Sequence, residues 1–310
     1  MKYKLWAMLI GVIGQLLLCF ASFAPAQSDQ WLVSIQAGDA AEAQGQYADA
    51  ERAYREAVKL SEKFRERDPR IAVGLIKLAE VCRRQSRHDE AVASATRSLR
   101  ALEKAMEEPT PKDPSAAYYK AETSAMIFDK ADGIFVAAGK YLEAESVCKK
   151  LIAIREQAAR PPKTSPKSND DFLKFMGQVL TDTQGKVADA YDKLAQVYFA
   201  QRKFEEAEPL YTKSLRVREV AYGQDKPPAA VALSNLATLY AAQGRFEKAE
   251  PLYAHAVRIF QQTDWMDKPE VANTLENYSL VLRKSGREAE AAEMLEKAKA
   301  IRAKLQQSNH

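Results

Sequence analysis

The sequence predicts an all-α chain built as a stack of repeated helix pairs, and three observations lead there. The octet FEEAEPLY at Phe204–Tyr211 returns 42 residues later as FEKAEPLY at Phe246–Tyr253. A stack needs the same packing residues in every unit, whereas a catalytic site is seldom duplicated at a fixed step. Alanine, leucine, glutamate, lysine and arginine dominate, and only 12 glycines and 13 prolines interrupt 310 residues, so most of the chain favours helix. Long stretches also lack the β-branched alternation that strands require. A chain of this length buries a core large enough to need no staples.

The first segment is a candidate leader. Lys2 and Lys4 precede an apolar run from Leu5 to Phe20, and Ala24, Pro25 and Ala26 stand before Gln27. This is the three-part layout of a secretory signal peptide, so residues 1–26 are expected to be removed and the protein to be periplasmic or secreted. The alternative is an uncleaved inner-membrane anchor: Leu5–Ala26 has only Gln15 and Ser22 as polar residues and is just long enough to span a bilayer. A lipoprotein reading is disfavoured by Leu18, because a small side chain should precede Cys19. Loss of residues 1–26 takes away Lys2 and Lys4 and no acid, so the formal charge falls from +4 to +2. Such a balance points to no nucleic-acid partner. Cys82 and Cys148 then remain, which is neither a disulfide framework nor a metal-ligand cluster.

From Trp31 onward the two octets extend into a 34-residue pattern of two helices, with copies starting at Trp31, Ala72, Ala125, Ala188, Ala230 and Ala272. The twentieth position is alanine in all six: Ala50, Ala91, Ala144, Ala207, Ala249 and Ala291. That column predicts a helix–helix contact with no room for a larger side chain. Four residues on, Tyr54, Tyr211, Tyr253 and Leu295 are expected to fill the space between units, with Ala95 and Cys148 as smaller versions. Leu78, Leu194, Leu236 and Tyr278 form a seventh-position column, and Cys82, Phe135, Tyr198, Tyr240 and Leu282 an eleventh. Both cysteines therefore fall in packing columns. Gly45, Gly139, Gly244 and Gly286 mark the turn between the helices, where a left-handed residue can end the first helix. Pro227 and Pro269, three residues before their repeats, are placed to open helices, and Pro69 holds the same place before the second repeat.

This pattern resembles the tetratricopeptide repeat, whose signature runs W-x2-L-G-x2-Y, A-x3-F, P. The 42-residue step, the AEPLY runs ending at Tyr211 and Tyr253, and SNLATLYAAQGRFEKAEPLY of the fifth unit resemble the kinesin light chain type. The likeness is strong over Val187–Leu305, good in the first two repeats and weaker in the third, where Asp132 takes a small-residue column. It implies a right-handed superhelix of about six helix-turn-helix units, an architecture common to exported bacterial proteins. Repeat three starts 53 residues after repeat two, and repeat four 63 after repeat three. The extra chain holds the proline-rich loops MEEPTPKDPS and AARPPKTSPKSND, each followed by an apolar helical pattern, so long first helices are expected in repeats three and four. The expected division is residues 27–159 for repeats one to three, 160–186 for a proline-rich linker and helix extension, and 187–306 for repeats four to six.

No catalytic set emerges. His88 falls in the column of Tyr47, Tyr141, Phe204 and Phe246 and is expected to pack; His255 has no second ligand at metal spacing, and His310 is terminal. No phosphate-binding glycine loop, G-x-S-x-G elbow or H-E-x-x-H helix occurs. The chain is expected to be no enzyme, to use no cofactor or metal and to act on no small-molecule substrate. The basic stretch from Lys149 to Lys167 has no interleaved aromatics and reads as a solvated linker.

The family resemblance implies a partner-binding groove on the first helices, and in repeats four to six its positions supply Lys193, Gln196, Ser234, Asn235, Thr238, Asn273, Asn277 and Arg283. Asp192, Phe199, Glu276 and Lys284 lie on the same inner face. An amide such as Asn235 or Asn277 can donate to a carbonyl and accept from an N–H of an extended peptide; the competing role is to bridge neighbouring helices. Lys77 and Lys193 hold the same position in repeats two and four, so the groove is not a clean asparagine ladder, and the lysine and asparagine set of a carboxylate clamp is not reproduced. The expected function is an exported scaffold for a protein or peptide segment, touching a membrane only if the leader is uncleaved. The alternative is a noncatalytic subunit or membrane-tethered assembly factor of an envelope enzyme complex.

Overall fold

The computed structural model describes residues 25–307 apart from 66, 110–113 and 161–169. The leader expected over 1–26 lies outside the described residues except for its last two. Among the described residues the chain forms twelve α-helices and no strand. They are α1 (Pro25–Ala43), α2 (Tyr47–Ser61), α3 (Arg70–Arg84), α4 (His88–Met106), α5 (Pro114–Ala137) and α6 (Tyr141–Ala158). The rest are α7 (Asp170–Ala200), α8 (Phe204–Tyr222), α9 (Pro227–Ala242), α10 (Phe246–Gln261), α11 (Pro269–Lys284) and α12 (Glu288–Gln307). None of these is long and apolar enough to cross a membrane.

Two compact units divide the chain, one reaching Ile154 and the other starting at Arg155. In the first, α1 packs on α2 and α3 on α4, and each second helix lies against the first helix of the next pair. In the second, α7 with α8, α9 with α10 and α11 with α12 repeat that plan. Both units are tetratricopeptide-type helix pairs. Pro227 and Pro269 open α9 and α11, where a residue without an N–H forfeits no helical bond. The two long first helices expected from the apolar pattern are present: α5 has 24 residues and α7 has 31.

All six alanines of the twentieth column are fully buried, at 0 % exposure. This column lies inside the contact between the two helices of a pair. One side of that contact is set by the eighth position of the first helix, the other by the residue four beyond the alanine. Gly38 faces Tyr54, and a Cβ added at Gly38 would fall 2.3 Å from the ring. The third repeat exchanges the sizes. Its eighth position is the buried Asp132, and across from it stands Cys148, whose Sγ–H donates to Asp132 Oδ1 at 3.1 Å. A small thiol thus makes room for the larger carboxylate, which accounts for the departure seen in this repeat. Cys82 and Cys148 are both buried, and no disulfide joins them.

The turn is the same in every repeat. The sixteenth residue donates its N–H to the eleventh carbonyl, as in Gln46 to Ala41, Arg87 to Cys82, Lys140 to Phe135, Lys203 to Tyr198, Arg245 to Tyr240 and Arg287 to Leu282, all at 2.8–2.9 Å. This six-to-one bond, with the five-to-two bond inside it, is a Schellman motif and needs a left-handed residue. Glycine supplies it four times, but Ser86 (φ 61°) and Arg202 (φ 59°) adopt it without being glycine. The packing expected of His88 is not found: it is exposed at the start of α4, while Tyr47, Tyr141, Phe204 and Phe246 in its column are half-buried. An imidazole at the first helical residue stays in solvent, where the larger aromatic rings fold inward.

Neighbouring pairs are also tied by charge. Arg87 pairs with Glu51 at 2.7 Å, Arg245 with Glu208 at 3.2 Å, and Arg287 with Glu250. These join the sixteenth position of one repeat to the twenty-first of the repeat before, which is the glutamate of AEPLY in the latter two. Being solvated, each adds little to stability.

Two substitutions test this account. Ala249→Leu should lower stability by about 1–3 kcal/mol, the usual cost of overpacking a closed contact, seen as an earlier midpoint in urea unfolding. Ser86→Gly should raise stability by about 0.5–1 kcal/mol, the relief of a left-handed non-glycine residue less the entropy that glycine adds to the unfolded chain.

Candidate functional site

The first helices of the second unit carry the candidate residues. On α9, Val231, Ser234, Asn235 and Thr238 fall at helical spacing, and Glu270, Asn273, Thr274 and Asn277 do so on α11. Each set is therefore one face of its helix. With Gln196 and Phe199 of α7, Tyr211 of α8 and Glu276 of α11, these faces line a cleft of about 370 Å³.

Of the eight residues expected to bind a partner, Gln196, Ser234, Asn235, Thr238, Asn273 and Asn277 come together in that cleft. Lys193 and Arg283 do not line it. Lys193 is half-buried one turn before Gln196, and Arg283 is exposed, with Nε 3.5 Å from Glu288. Tyr211, Val231, Glu270 and Thr274 line the cleft without having been expected there. Glu270 was the hardest to foresee, because it precedes the 34-residue unit; Pro269 starts α11 early and so adds a residue to the face.

Asp192, an inner-face position by sequence, is buried instead. Arg218 of α8 donates from Nη1 to Asp192 Oδ2 at 2.7 Å and from Nη2 to Asp189 Oδ1 at 2.6 Å, and also bonds Ser214. Burial raises the Asp192 carboxyl above the usual carboxylate range, opposed by the Arg218 charge. Its other oxygen, Oδ1, has no hydrogen-bond partner among the described residues. A guanidinium brought this far into a helix contact needs both carboxylates, and the two aspartates three residues apart on α7 present them on one side.

The amides make bridges between first helices. Asn235 Nδ2 lies 3.4 Å from Asp192 Oδ2, and Asn277 Nδ2 lies 3.5 Å from Thr238 Oγ1. Thr238 in turn meets the Tyr253 hydroxyl at 2.8 Å, and burial pushes Tyr253 up to about 12. The first unit has the same node with other residues: the Tyr54 hydroxyl donates to Asp39 at 2.6 Å, and Lys77 Nζ approaches Asp39 at 2.5 Å. Both inward contacts of the asparagines are long, so they orient the amides more than they bind them. The two amide oxygens have no partner among the described residues.

On the rim, Arg302 of α12 reaches back to Glu276, with Nε and Nη2 each 2.9 Å from its carboxylate, and to Asn273 Oδ1 at 2.7 Å. These bonds hold the Glu276 carboxyl below its ordinary range. Thr274 Oγ1 donates to the Glu270 carbonyl at 2.8 Å and can accept from the Ser234 hydroxyl, 2.9 Å away, closing the floor between α9 and α11. Among the described residues no group of three His, Cys, Asp or Glu is placed to hold a metal ion.

Comparison with known proteins follows the repeats closely. Models of the tetratricopeptide repeat match residues 32–104, 186–262 and 271–310, which together exceed half of the chain. No curated protein matches it. Among solved structures, BtubC (BKLC) from P. vanneervenii is 19% identical with a TM-score of 0.56, covering 91% of this chain and 93% of that one. A Podosopora anserina protein, described as a kinesin light chain with nearly identical TPR-like repeats, is 18% identical at TM-score 0.51, with 77% and 98% covered. The apo form of RapI is 13% identical at TM-score 0.55, with 90% and 76% covered. At such identities the likeness is one of fold.

The buried ion network yields a test. Arg218→Met leaves Asp192 buried and uncompensated and should cost about 3–5 kcal/mol. Arg218→Met with Asp192→Leu removes both charges and should recover most of that loss, read as the two urea midpoints.

Proposed function

The chain belongs to the tetratricopeptide repeat family, and we propose that it is a non-enzymatic scaffold whose second unit holds an extended segment of a protein partner in the α7–α9–α11 cleft. The observation that carries this reading is the gathering of seven amide and hydroxyl residues, from three successive first helices, along one cleft. Amides and hydroxyls both donate and accept, so they suit a peptide backbone whatever its side chains. Lys193, beside the lining on α7, and Arg283, on the solvent side of α11, are proposed as outer contacts of a segment longer than the cleft.

Export is part of the proposal. It is supported by the basic start at Lys2 and Lys4, the apolar run and the small residues before Gln27. The protein is then periplasmic or secreted; an uncleaved leader would tether it to the inner membrane. Protein recovered from the host envelope should begin near Gln27 on N-terminal sequencing, and a start at Met1 would replace export by anchoring.

Crosslinking in the native host, followed by mass spectrometry of what is captured, identifies the partner. Asn235→Ala with Asn277→Ala should then weaken capture by about 1 kcal/mol per amide, near the net worth of one neutral hydrogen bond. Helicity and melting should stay close to wild type. Equal capture by the double variant would move the contact away from this cleft.

A further inference from the structure

We infer that the cleft of the second unit takes a cationic side chain of its partner, a lysine or arginine on an extended segment, beside Glu270 between α9 and α11. The inference rests on the scaffold reading and adds the chemistry of what is bound. In the first unit the sixth-position Lys77 sits 2.5 Å from Asp39 and over the Tyr54 ring at 5.6 Å. An internal ammonium completes that node.

The second unit keeps the tyrosines and replaces both charges of that node: Thr238 stands where the first unit has Asp39, and Asn277 where it has Lys77. Its sixth positions facing Tyr211 and Tyr253 are Asn235 and Asn277, and no lysine or arginine lines the cleft. The negative charge on the cleft is that of Glu270 and Glu276 on the α11 side, since Asp192 is paired with Arg218. Glu270 makes no ion pair among the described residues, whereas Glu276 shares Arg302. Because each asparagine turns its Nδ2 inward, the amide oxygens are left as acceptors. A cleft with acceptors, carboxylates and an aromatic wall selects a donor that is positively charged. The whole chain carries a formal charge of +4, so attraction of a cation must come from the cleft and not from the surface at large.

The test uses the full chain with three fluorescein-labelled peptides: decalysine, decaglutamate and five Gly-Ser dipeptides in tandem. Fluorescence anisotropy should show decalysine binding about tenfold or more tightly than either other peptide, as opposite charges at an interface imply. Glu270→Lys should weaken decalysine about fivefold, the scale of one exposed pair reversed. Glu205→Lys, the same charge change on the exposed face of α8, should leave decalysine unchanged. Equal binding of the acidic or neutral peptide, or equal loss in the Glu205 variant, overturns the inference. If the neutral peptide binds as tightly as decalysine and the Asn235→Ala, Asn277→Ala variant loses it, the scaffold reading stands and the charge assignment falls. If none of the three binds, both fall.

Discussion

Six alanines, each with no exposed surface, hold the two helices of every pair at contact distance, and the remaining design follows from that clearance. Because the backbones are so close at the twentieth position, the residue a turn later must reach over the first helix. A tyrosine there requires glycine or alanine opposite, as Tyr54 requires Gly38; a cysteine permits Asp132. The close approach also dictates how the chain reverses. A Schellman turn of fixed geometry is the shortest way to return, and the frame is firm enough that Ser86 and Arg202 are held in a conformation suited to glycine.

What packing leaves over becomes the cleft. The tyrosine hydroxyls emerging from the pair contact need partners, since a buried phenol without one loses a hydrogen bond to water. They find them on the first helices: Asp39 for Tyr54 and Thr238 for Tyr253. Residues on the next first helix, Lys77 or Asn277, join the same node. The inner face is thus half structural, with donors turned inward and acceptors turned out. That division gives a repeat protein two uses for one column of side chains.

Much of this was legible in the residues alone. Periodicity located every helix pair, because the alanine column and the 42-residue echo report a steric requirement that does not vary between repeats. The cleft was legible in part: Asn235 and Asn277 stood out as repeated amides on an inner face, and they do line it. Asp192 occupied an equally promising position and proved to be the buried partner of Arg218, 26 residues on. A pairing between helices leaves no periodic trace, so single-column reasoning could not separate it from a groove residue. Glu270 was invisible for the opposite reason, since it stands before the repeat unit begins. His88 shares a column with aromatic rings yet lies in solvent, which shows that a column fixes a direction and not a depth.

The nearest-neighbour layout within each unit has a mechanical side. The principal contacts run inside a pair or to the pair beside it, so a load applied along the stack is borne in series, and no strand ladder shears as one block. Under tension a unit of this kind would release one helix pair at a time. Each 42-residue step of the last repeats would lengthen the chain by about 140 Å at full extension. A tethered partner would then feel a compliant spring and not a rigid strut.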